Sequence, residues 1–343
     1  MKLLSFSIAL LVLIALFAAP MFPHDAQAAD VFFPIVHTKV VTQTAPFTSK
    51  LPDTGMYACH DDDTIVVCPN TGEDFFGQDA QYNEPRRQHN YTDNGDGTIT
   101  DNVTGLMWQQ DDDDVIRSWQ DSIDYCAALT HAAHLDWRLP DYYELFSLTD
   151  RSRYDPTMTI DPIFGGHASE YWTSSPEAVF VDKAFLVHFD RGEARYDGMT
   201  NEEYVRCVRS GPLPTASFVD NGDGTVTDET TGLMWMQSDD GLTRNWKDAL
   251  AYCETMTASA PLAAGHSDWR LPDVNELQTL VDIDVRFPSI DESVFSCENG
   301  DYWSSSSSAG NSDYAWRVFF GYSTVSYSDK GATNYVRCVR SGP

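Results

Sequence analysis

The chain has 343 residues, with 22 Lys and Arg against 52 Asp and Glu, which gives a formal net charge of −30 at pH 7. This length predicts two or three domains. A hydrophobic share of 42% with 13% aromatic residues excludes a disordered acidic tail. The negative charge opposes binding to nucleic acids, anionic membrane surfaces and sulfated polysaccharides. The composition therefore indicates a folded, acidic, multidomain protein.

The N-terminus has the pattern of an export signal. Lys2 precedes an uncharged apolar run over residues 3–19, and Ala26-Gln27-Ala28 offers a small-x-small cleavage site. We therefore predict a signal peptide over residues 1–28 and a mature protein that is periplasmic or extracellular, without a transmembrane span. An uncleaved anchor is the alternative, although the run is shorter than the roughly 20 residues that span a bilayer.

Export makes disulfide bonds the expected state of the cysteines. Cys59 and Cys68 are separated by an Asp-rich turn, and we predict that they bridge a small hairpin in a lead-in segment, residues 29–89. Zinc binding is the rival interpretation, but no second Cys/His pair stands at ligand spacing. The state of Cys297 cannot be read from the sequence.

An internal duplication organises the rest of the chain. Residues 91–109 match residues 218–236 at 13 of 19 positions, and three later motifs recur in the same order. These motifs are WRLPD at 137–141 and 269–273, YW[ST]S[ST] at 171–175 and 302–306, and YVRCVRSGP at 204–212 and 335–343. We predict two tandem domains, repeat 1 at 90–212 and repeat 2 at 213–343.

Each repeat predicts the same local structure. A strand pair around a Thr-Gly turn is followed by a helix capped by Ser118 or Asn245. A second helix begins at Asp141 or Asp273, because a Glu three residues later completes a capping box. The remainder is strand-like and rich in turns, so the sequence predicts an α+β fold with a mostly antiparallel sheet.

In both repeats a Cys late in the first helix is matched by a Cys in the last strand. We therefore predict the disulfides Cys126–Cys207 and Cys253–Cys338, each stabilising its repeat by about 4 kcal/mol through loop entropy. A bond between Cys126 and Cys253 would contradict this connectivity.

The ordered motifs resemble the C-terminal domain of the Legionella collagen-like adhesin, a domain also found in uncharacterised bacterial secreted proteins. The resemblance covers both repeats and implies tandem C-type-lectin-like domains, each with a long-range disulfide. It also implies an adhesion role, since the named member binds host glycosaminoglycans. The net charge of −30 argues against transferring that sulfated ligand. Signatures of calcium-dependent sugar binding, such as Glu-Pro-Asn or Trp-Asn-Asp, are absent from the sequence.

The repeated Asp-Asn-Gly-Asp-Gly turn is a candidate calcium site, because calcium prefers clustered oxygen ligands. The turn does not fit an EF-hand loop, and a tight turn that uses these residues for backbone reasons is the alternative. The candidate ligands are Asp93, Asn94 and Asp96 in repeat 1 and Asp220, Asn221 and Asp223 in repeat 2.

The Tyr-Trp motifs are the candidate ligand-binding residues. An exposed Trp could stack on a sugar while neighbouring hydroxyls form hydrogen bonds with it; a core Trp on a strand is the alternative. The candidates are Tyr171, Trp172, Ser174, Tyr302, Trp303 and Ser305.

Catalysis is not predicted. The Asp and Glu of WRLPD-x-x-E have helix-capping spacing, and the Arg of the motif is expected to form an ion pair or to donate to backbone carbonyls. No catalytic Ser/His/Asp order, phosphate loop or HExxH motif occurs. We expect a non-enzymatic, exported binding or adhesion protein whose partner is a surface glycan or protein. The alternative is a structural component of an envelope or surface assembly.

Overall fold

The computed structural model describes residues 51–82, 88–154, 156–256 and 262–342. The predicted signal peptide and the first part of the lead-in segment lie outside the described residues. None of the helices within these ranges combines the length and the apolar character needed to cross a membrane.

The described lead-in, residues 51–82, is a small hairpin followed by one helical turn. Strand β1 (Cys59–His60) pairs antiparallel with β2 (Ile65–Val66), and a 3-10 helix spans Asp79–Gln81. The predicted Cys59–Cys68 disulfide joins the two sides of the hairpin. The zinc alternative therefore does not apply to these two cysteines.

Repeat 1 combines two helices with two antiparallel sheets. Its elements are β3 (Tyr91–Asp93), β4 (Thr98–Asp101), β5 (Met107–Gln109), α1 (Trp119–Ala128), α2 (Tyr142–Phe146), β6 (Glu170–Pro176), β7 (Lys183–His188), β8 (Ala194–Gly198) and β9 (Val208–Arg209). Strands β3, β4, β5 and β9 form a four-stranded sheet in that order, so the end of the repeat returns to its beginning.

Repeat 2 reproduces this order. Its elements are β10 (Phe218–Asp220), β11 (Thr225–Asp228), β12 (Leu233–Met236), α3 (Trp246–Glu254), α4 (Val274–Gln278), β13 (Asp301–Ser307), β14 (Tyr314–Phe319), β15 (Thr324–Asp329) and β16 (Val339–Ser341). Strands β10, β11, β12 and β16 form the second four-stranded sheet. The α+β class and the duplication predicted from the sequence are confirmed.

The helices begin where the sequence predicts. Ser118 caps α1, and its Oγ accepts a hydrogen bond from the Asp121 backbone N–H at 3.3 Å. Asp141 and Glu144 form a reciprocal capping box at the start of α2. The same caps recur in repeat 2. These caps fix the direction in which α2 and α4 leave the WRLP segments.

The repeats share a sheet rather than standing apart on their linker. Strand β8 pairs antiparallel with β15 through Ala194 and Val325. The YVRCVRSGP segments show that these two residues are counterparts in the duplication. A contact between counterparts is the signature of two-fold symmetry, as in an isologous dimer. The resulting sheet has six strands in the order β13-β14-β15-β8-β7-β6.

The core is continuous across the two repeats. One cluster of fully buried side chains includes Trp108 and Phe185 from repeat 1 with Trp235 and Trp316 from repeat 2. A buried ion pair also crosses the boundary, with Arg286 Nε 2.6 Å from Glu177 Oε1. Burial of this apolar surface joins the repeats into one unit.

Each repeat also has a smaller core around its own disulfide. The bonds are Cys126–Cys207 and Cys253–Cys338, as predicted. Cys297 is free and partly buried, with its Sγ 3.3 Å from the Tyr302 hydroxyl. Burial raises the pKa of this thiol.

Candidate functional site

The Tyr-Trp motifs lie inside the protein, which corrects the interpretation of these residues as ligand-facing. Tyr171, Trp172, Tyr302 and Trp303 have no exposed surface. The Trp172 indole N–H donates to the Arg117 carbonyl oxygen at 3.0 Å. A ring without exposed surface cannot stack on a sugar, so these residues act as core side chains whose polar atoms have internal partners.

The neighbouring serines are part of the same packed strands. Ser174 is half-buried and Ser305 is buried. Their backbone N–H groups donate to Pro140 and Pro272, each at 2.7 Å. The two serines therefore tie strands β6 and β13 to the WRLP segments, and neither stands beside an exposed aromatic face as the sequence interpretation required.

The repeated Asp-Asn-Gly-Asp-Gly segments form exposed turns with identical internal hydrogen bonds. Asp93 Oδ1 accepts from the Gly95 N–H at 2.8 Å, and Asp96 Oδ1 accepts from the Thr98 hydroxyl at 2.6 Å. The Asn94 amide also donates to Thr98 Oγ1 at 2.9 Å. Asp220, Asn221 and Asp223 make the equivalent bonds in repeat 2. This geometry favours the turn interpretation over the calcium interpretation.

Two other groups have metal-ligand spacing among the described residues, and the turn residues belong to neither. In the first group, Asp112 accepts a hydrogen bond from the hydroxyl of buried Tyr171. In the second, Glu170 is paired with His188 and Arg195. Ion pairs and hydrogen bonds thus already engage a carboxylate of each group. The groups are Asp112, Asp114 and His167, and Glu170, Asp197 and Glu203.

The WRLPD-x-x-E arginines form ion pairs with the capping glutamates. Arg138 contacts both carboxylate oxygens of buried Glu144 at 2.6 Å, and Arg270 contacts those of Glu276 at 2.6 and 2.7 Å. Bidentate pairs of this kind fix the position of both side chains. The motif therefore serves to orient α2 and α4.

A cavity of about 460 Å³ lies where α2, α4 and the segment between the repeats meet. We call it the inter-repeat cavity. This volume is within the range of small-molecule and side-chain sites. Its walls are largely apolar and include Phe146 from α2, Leu213 and Phe218 beside the linker, and Leu280 and Val281 after α4. A ligand held here would bury an apolar body.

Two amide side chains on α4 are among the lining residues of this cavity, although they are almost completely buried. Asn275 and Gln278 are 3% and 2% exposed. Asn275 Nδ2 donates to the Pro52 carbonyl oxygen at 3.2 Å, which leaves its Oδ1 without a partner. Gln278 Oε1 and Nε2 also have no hydrogen-bond partner. Buried polar atoms are rarely left unpaired because each such atom costs roughly 1–3 kcal/mol. The two amide oxygens are therefore able to accept hydrogen bonds from a ligand, and the Gln278 amide N–H is able to donate one.

The family comparison applies to the two halves that enclose this cavity. The Lcl C-terminal domain family matches residues 97–209 and 224–340, more than half of the chain. The chain belongs to this family. The resemblance found in the motifs is thereby confirmed, in two tandem copies. A search of the curated proteins found no match to the chain. Membership in the Lcl C-terminal domain family indicates an adhesin-like surface protein.

The inter-repeat cavity is strongly acidic. No Lys, Arg or His is among the described residues that line it. Burial, together with the charge of Glu144, raises the pKa of Asp141 to about 6. Burial also raises the pKa of Asp228, whose carboxylate accepts hydrogen bonds from Thr231. The acidic lining residues are Asp141, Asp228, Asp282, Asp284 and Asp291. A cation in the cavity would compensate this charge.

Sequence reasoning missed Asn275 and Gln278, although the duplication carries a signal for them. Their counterparts in the first Lcl C-terminal domain are Tyr143 and Phe146. The second copy therefore has two polar side chains where the first has aromatic rings. A polar residue at a position that is apolar in the other copy marks a departure from the shared core.

Proposed function

We propose that the protein is an exported, non-catalytic binding protein of adhesin type that holds part of its ligand in the inter-repeat cavity. The ligand belongs to a surface glycan or a surface protein. Membership in the Lcl C-terminal domain family supports the adhesin type, and the pattern of residues 1–28 supports export. A C-type-lectin-like fold for each repeat belongs to the same proposal.

The unpaired, buried Gln278 carbonyl oxygen at the cavity is the observation that carries this proposal. Such a group is costly unless a ligand completes it. No His or Cys is found among the described lining residues, and Asp141 is engaged in a helix cap. These features support binding rather than catalysis.

The test compares wild-type protein with Gln278→Met, which keeps the side-chain volume and removes the acceptor. Gln120→Met is the matched control, because Gln120 is exposed on α1. Each immobilised protein is exposed to a glycan array and to purified extracellular matrix proteins. We expect the wild type and the control to retain the same ligand, and Gln278→Met to bind it about tenfold more weakly. Equal retention by all three proteins would place the binding surface elsewhere.

Burial of the Tyr-Trp motifs favours a second candidate, a structural component of a surface assembly. In that case Tyr171, Trp172, Tyr302 and Trp303 would serve only the core, as their burial suggests. The same panel separates the candidates: a structural component would retain no glycan or matrix protein, whether or not Gln278 is replaced.

A further inference from the structure

The chemistry of the inter-repeat cavity restricts its ligand more narrowly than the adhesin family does. Three features coincide there: apolar walls, two buried acceptors without donors, and carboxylates without a described basic partner in the lining. Each feature demands something different of a ligand. The walls require an apolar body, the amide oxygens require N–H or O–H donors, and the carboxylates require positive charge.

The unpaired amide atoms and the carboxylates restrict the charge that a ligand of the cavity can have. The Asn275 amide N–H donates to the Pro52 carbonyl oxygen, and its Oδ1 has no hydrogen-bond partner. Gln278 lies one helical turn further along α4, and both its Oε1 and its Nε2 are without a hydrogen-bond partner. A ligand that brought a carboxylate or a sulfate would meet the Asn275 oxygen as well as five Asp side chains, so acidic glycans are disfavoured.

The apolar walls distinguish between the remaining ligands. A neutral or aminated sugar would place hydroxyl groups against Leu213, Phe218 and Ile283, where they would lose hydrogen bonds to water. The side chain of lysine or arginine instead combines an apolar stem with a charged donor head. This combination matches the walls, the acceptors and the charge together.

We propose that the inter-repeat cavity binds a lysine or arginine side chain of a partner protein. The stem packs against Leu213 and Phe218, the half-buried apolar residues of the lining, and the charged head donates to the amide oxygens of Asn275 and Gln278. Carboxylates such as that of exposed Asp284 attract the cation at the rim. This inference rests on the proposed function, because it names the ligand class of the same site.

The test uses the full mature chain and capped tripeptides Leu-X-Leu, in which X is lysine, arginine, acetyl-lysine or glutamate. Binding is measured by titration calorimetry at low and at physiological salt. We expect the lysine and arginine probes to bind at least about tenfold more tightly than the acetyl-lysine probe, and the glutamate probe not to bind. Their affinity should fall as salt screens the carboxylates.

Single substitutions of lining residues test which side chains contact the lysine probe. Gln278→Met should weaken the lysine probe about tenfold without lowering the melting temperature, since it removes an unpaired buried amide. Asp284→Asn should weaken the same probe less and reduce its salt dependence. This residue is exposed, so the variant tests charge without disturbing the core. Gln120→Met should leave the affinity unchanged.

The outcomes that overturn the inference differ from those that overturn the proposed function. No binding of the lysine probe at millimolar concentration, or equal binding of lysine and acetyl-lysine, overturns the inference. Tighter binding of a glucosamine oligomer would also overturn it and assign the cavity to an aminated glycan. If Gln278→Met loses the surface ligand and the wild type does not bind the lysine probe, the inference is overturned and the proposed function is retained. Lysine binding by a protein that retains no surface ligand would contradict the proposed function alone.

Discussion

The two repeats have the same motifs but different surroundings, and one pair of tryptophans shows the consequence. Trp119 begins α1 and Trp246 begins α3, and each indole N–H donates to a backbone carbonyl at 2.8 or 2.7 Å. Trp246 is fully buried, with the Phe75 ring of the lead-in 6.2 Å away, whereas Trp119 is half-exposed. The lead-in, and not the fold of the repeat, decides how deeply this motif residue is buried.

Charge explains why the lead-in covers the Trp246 surface of repeat 2 and not the Trp119 surface of repeat 1. Lys330 donates to the Asp61 carbonyl oxygen at 2.6 Å, and Lys247 lies 3.3 Å from a carboxylate of the lead-in. The counterparts of these lysines in repeat 1 are Met199 and Gln120. The same acidic segment would find neither cation there. The duplication has thus produced one covered and one open copy of the same surface.

The largest expected effect is the loss of an internal disulfide, and it should be equal in both repeats. The cysteine pairs are 81 and 85 residues apart, so loop entropy predicts a loss of about 4–5 kcal/mol for each. The variants are Cys126→Ala with Cys207→Ala, and Cys253→Ala with Cys338→Ala, compared by denaturant unfolding. Losses that differ by more than about 1 kcal/mol would show that the lead-in supports the core of repeat 2.

The tryptophan pair gives the next largest effect and tests the comparison directly. We expect Trp246→Ala to lower the free energy of unfolding by about 3–5 kcal/mol, as for other buried large-to-small changes. Trp119→Ala should cost about half as much, because part of its ring already contacts water. Equal losses in chemical denaturation would mean that the lead-in contributes little to the packing of Trp246.

The sequence alone predicts the parts of the fold that depend on local chemistry. The capping boxes at Asp141 and Asp273 predict where α2 and α4 begin, since a side-chain oxygen and a backbone N–H a few residues away must meet. The matched cysteines predict the disulfides because a duplicated connectivity has to satisfy both copies. The α+β class follows from the order of these elements.

The sequence does not predict how the repeats associate or where the cavity forms. The pairing of Ala194 with Val325 requires two edge strands of suitable shape, and no residue type signals it. Burial of Trp172 and Trp303 was likewise ambiguous, because a Tyr-Trp pair on a strand fits both a core and a sugar platform. Long-range packing decided between these alternatives.

Protonation of Asp79 should tune the contact between the lead-in and repeat 2. Its carboxylate is buried and accepts hydrogen bonds from Ser306 and Thr54 at 2.5 and 2.7 Å. Burial, with the charges of Asp53 and Glu276, raises the pKa of Asp79 from 3.8 to about 7. A raised pKa favours the protonated form in the folded state. The contribution of Asp79 to stability is therefore fully present below about pH 4 and is lost as the pH rises through about 7.

Asp79→Asn keeps the shape and removes the charge. We expect it to flatten the pH dependence of the melting temperature between pH 4 and 8, and to exceed the wild-type stability at pH 8 by about 2 kcal/mol. Asp63→Asn is the control, since this residue of the lead-in hairpin is exposed. A wild-type profile that is flat over this range would show that Asp79 is not buried in solution.

The smallest effect concerns the turns, whose internal hydrogen bonds are the same in the two repeats. Asp96 Oδ1 and Asp223 Oδ1 each accept a hydrogen bond from a threonine hydroxyl at 2.6 Å. One oxygen of each carboxylate is therefore already engaged within the turn. Millimolar calcium should therefore leave the melting temperature of the wild type unchanged, and Asp96→Asn with Asp223→Asn should respond in the same way. A calcium-dependent rise that this double variant abolishes would restore the calcium interpretation. Because both turns have the same bonds, such a rise should fall by equal parts when either Asp is replaced alone.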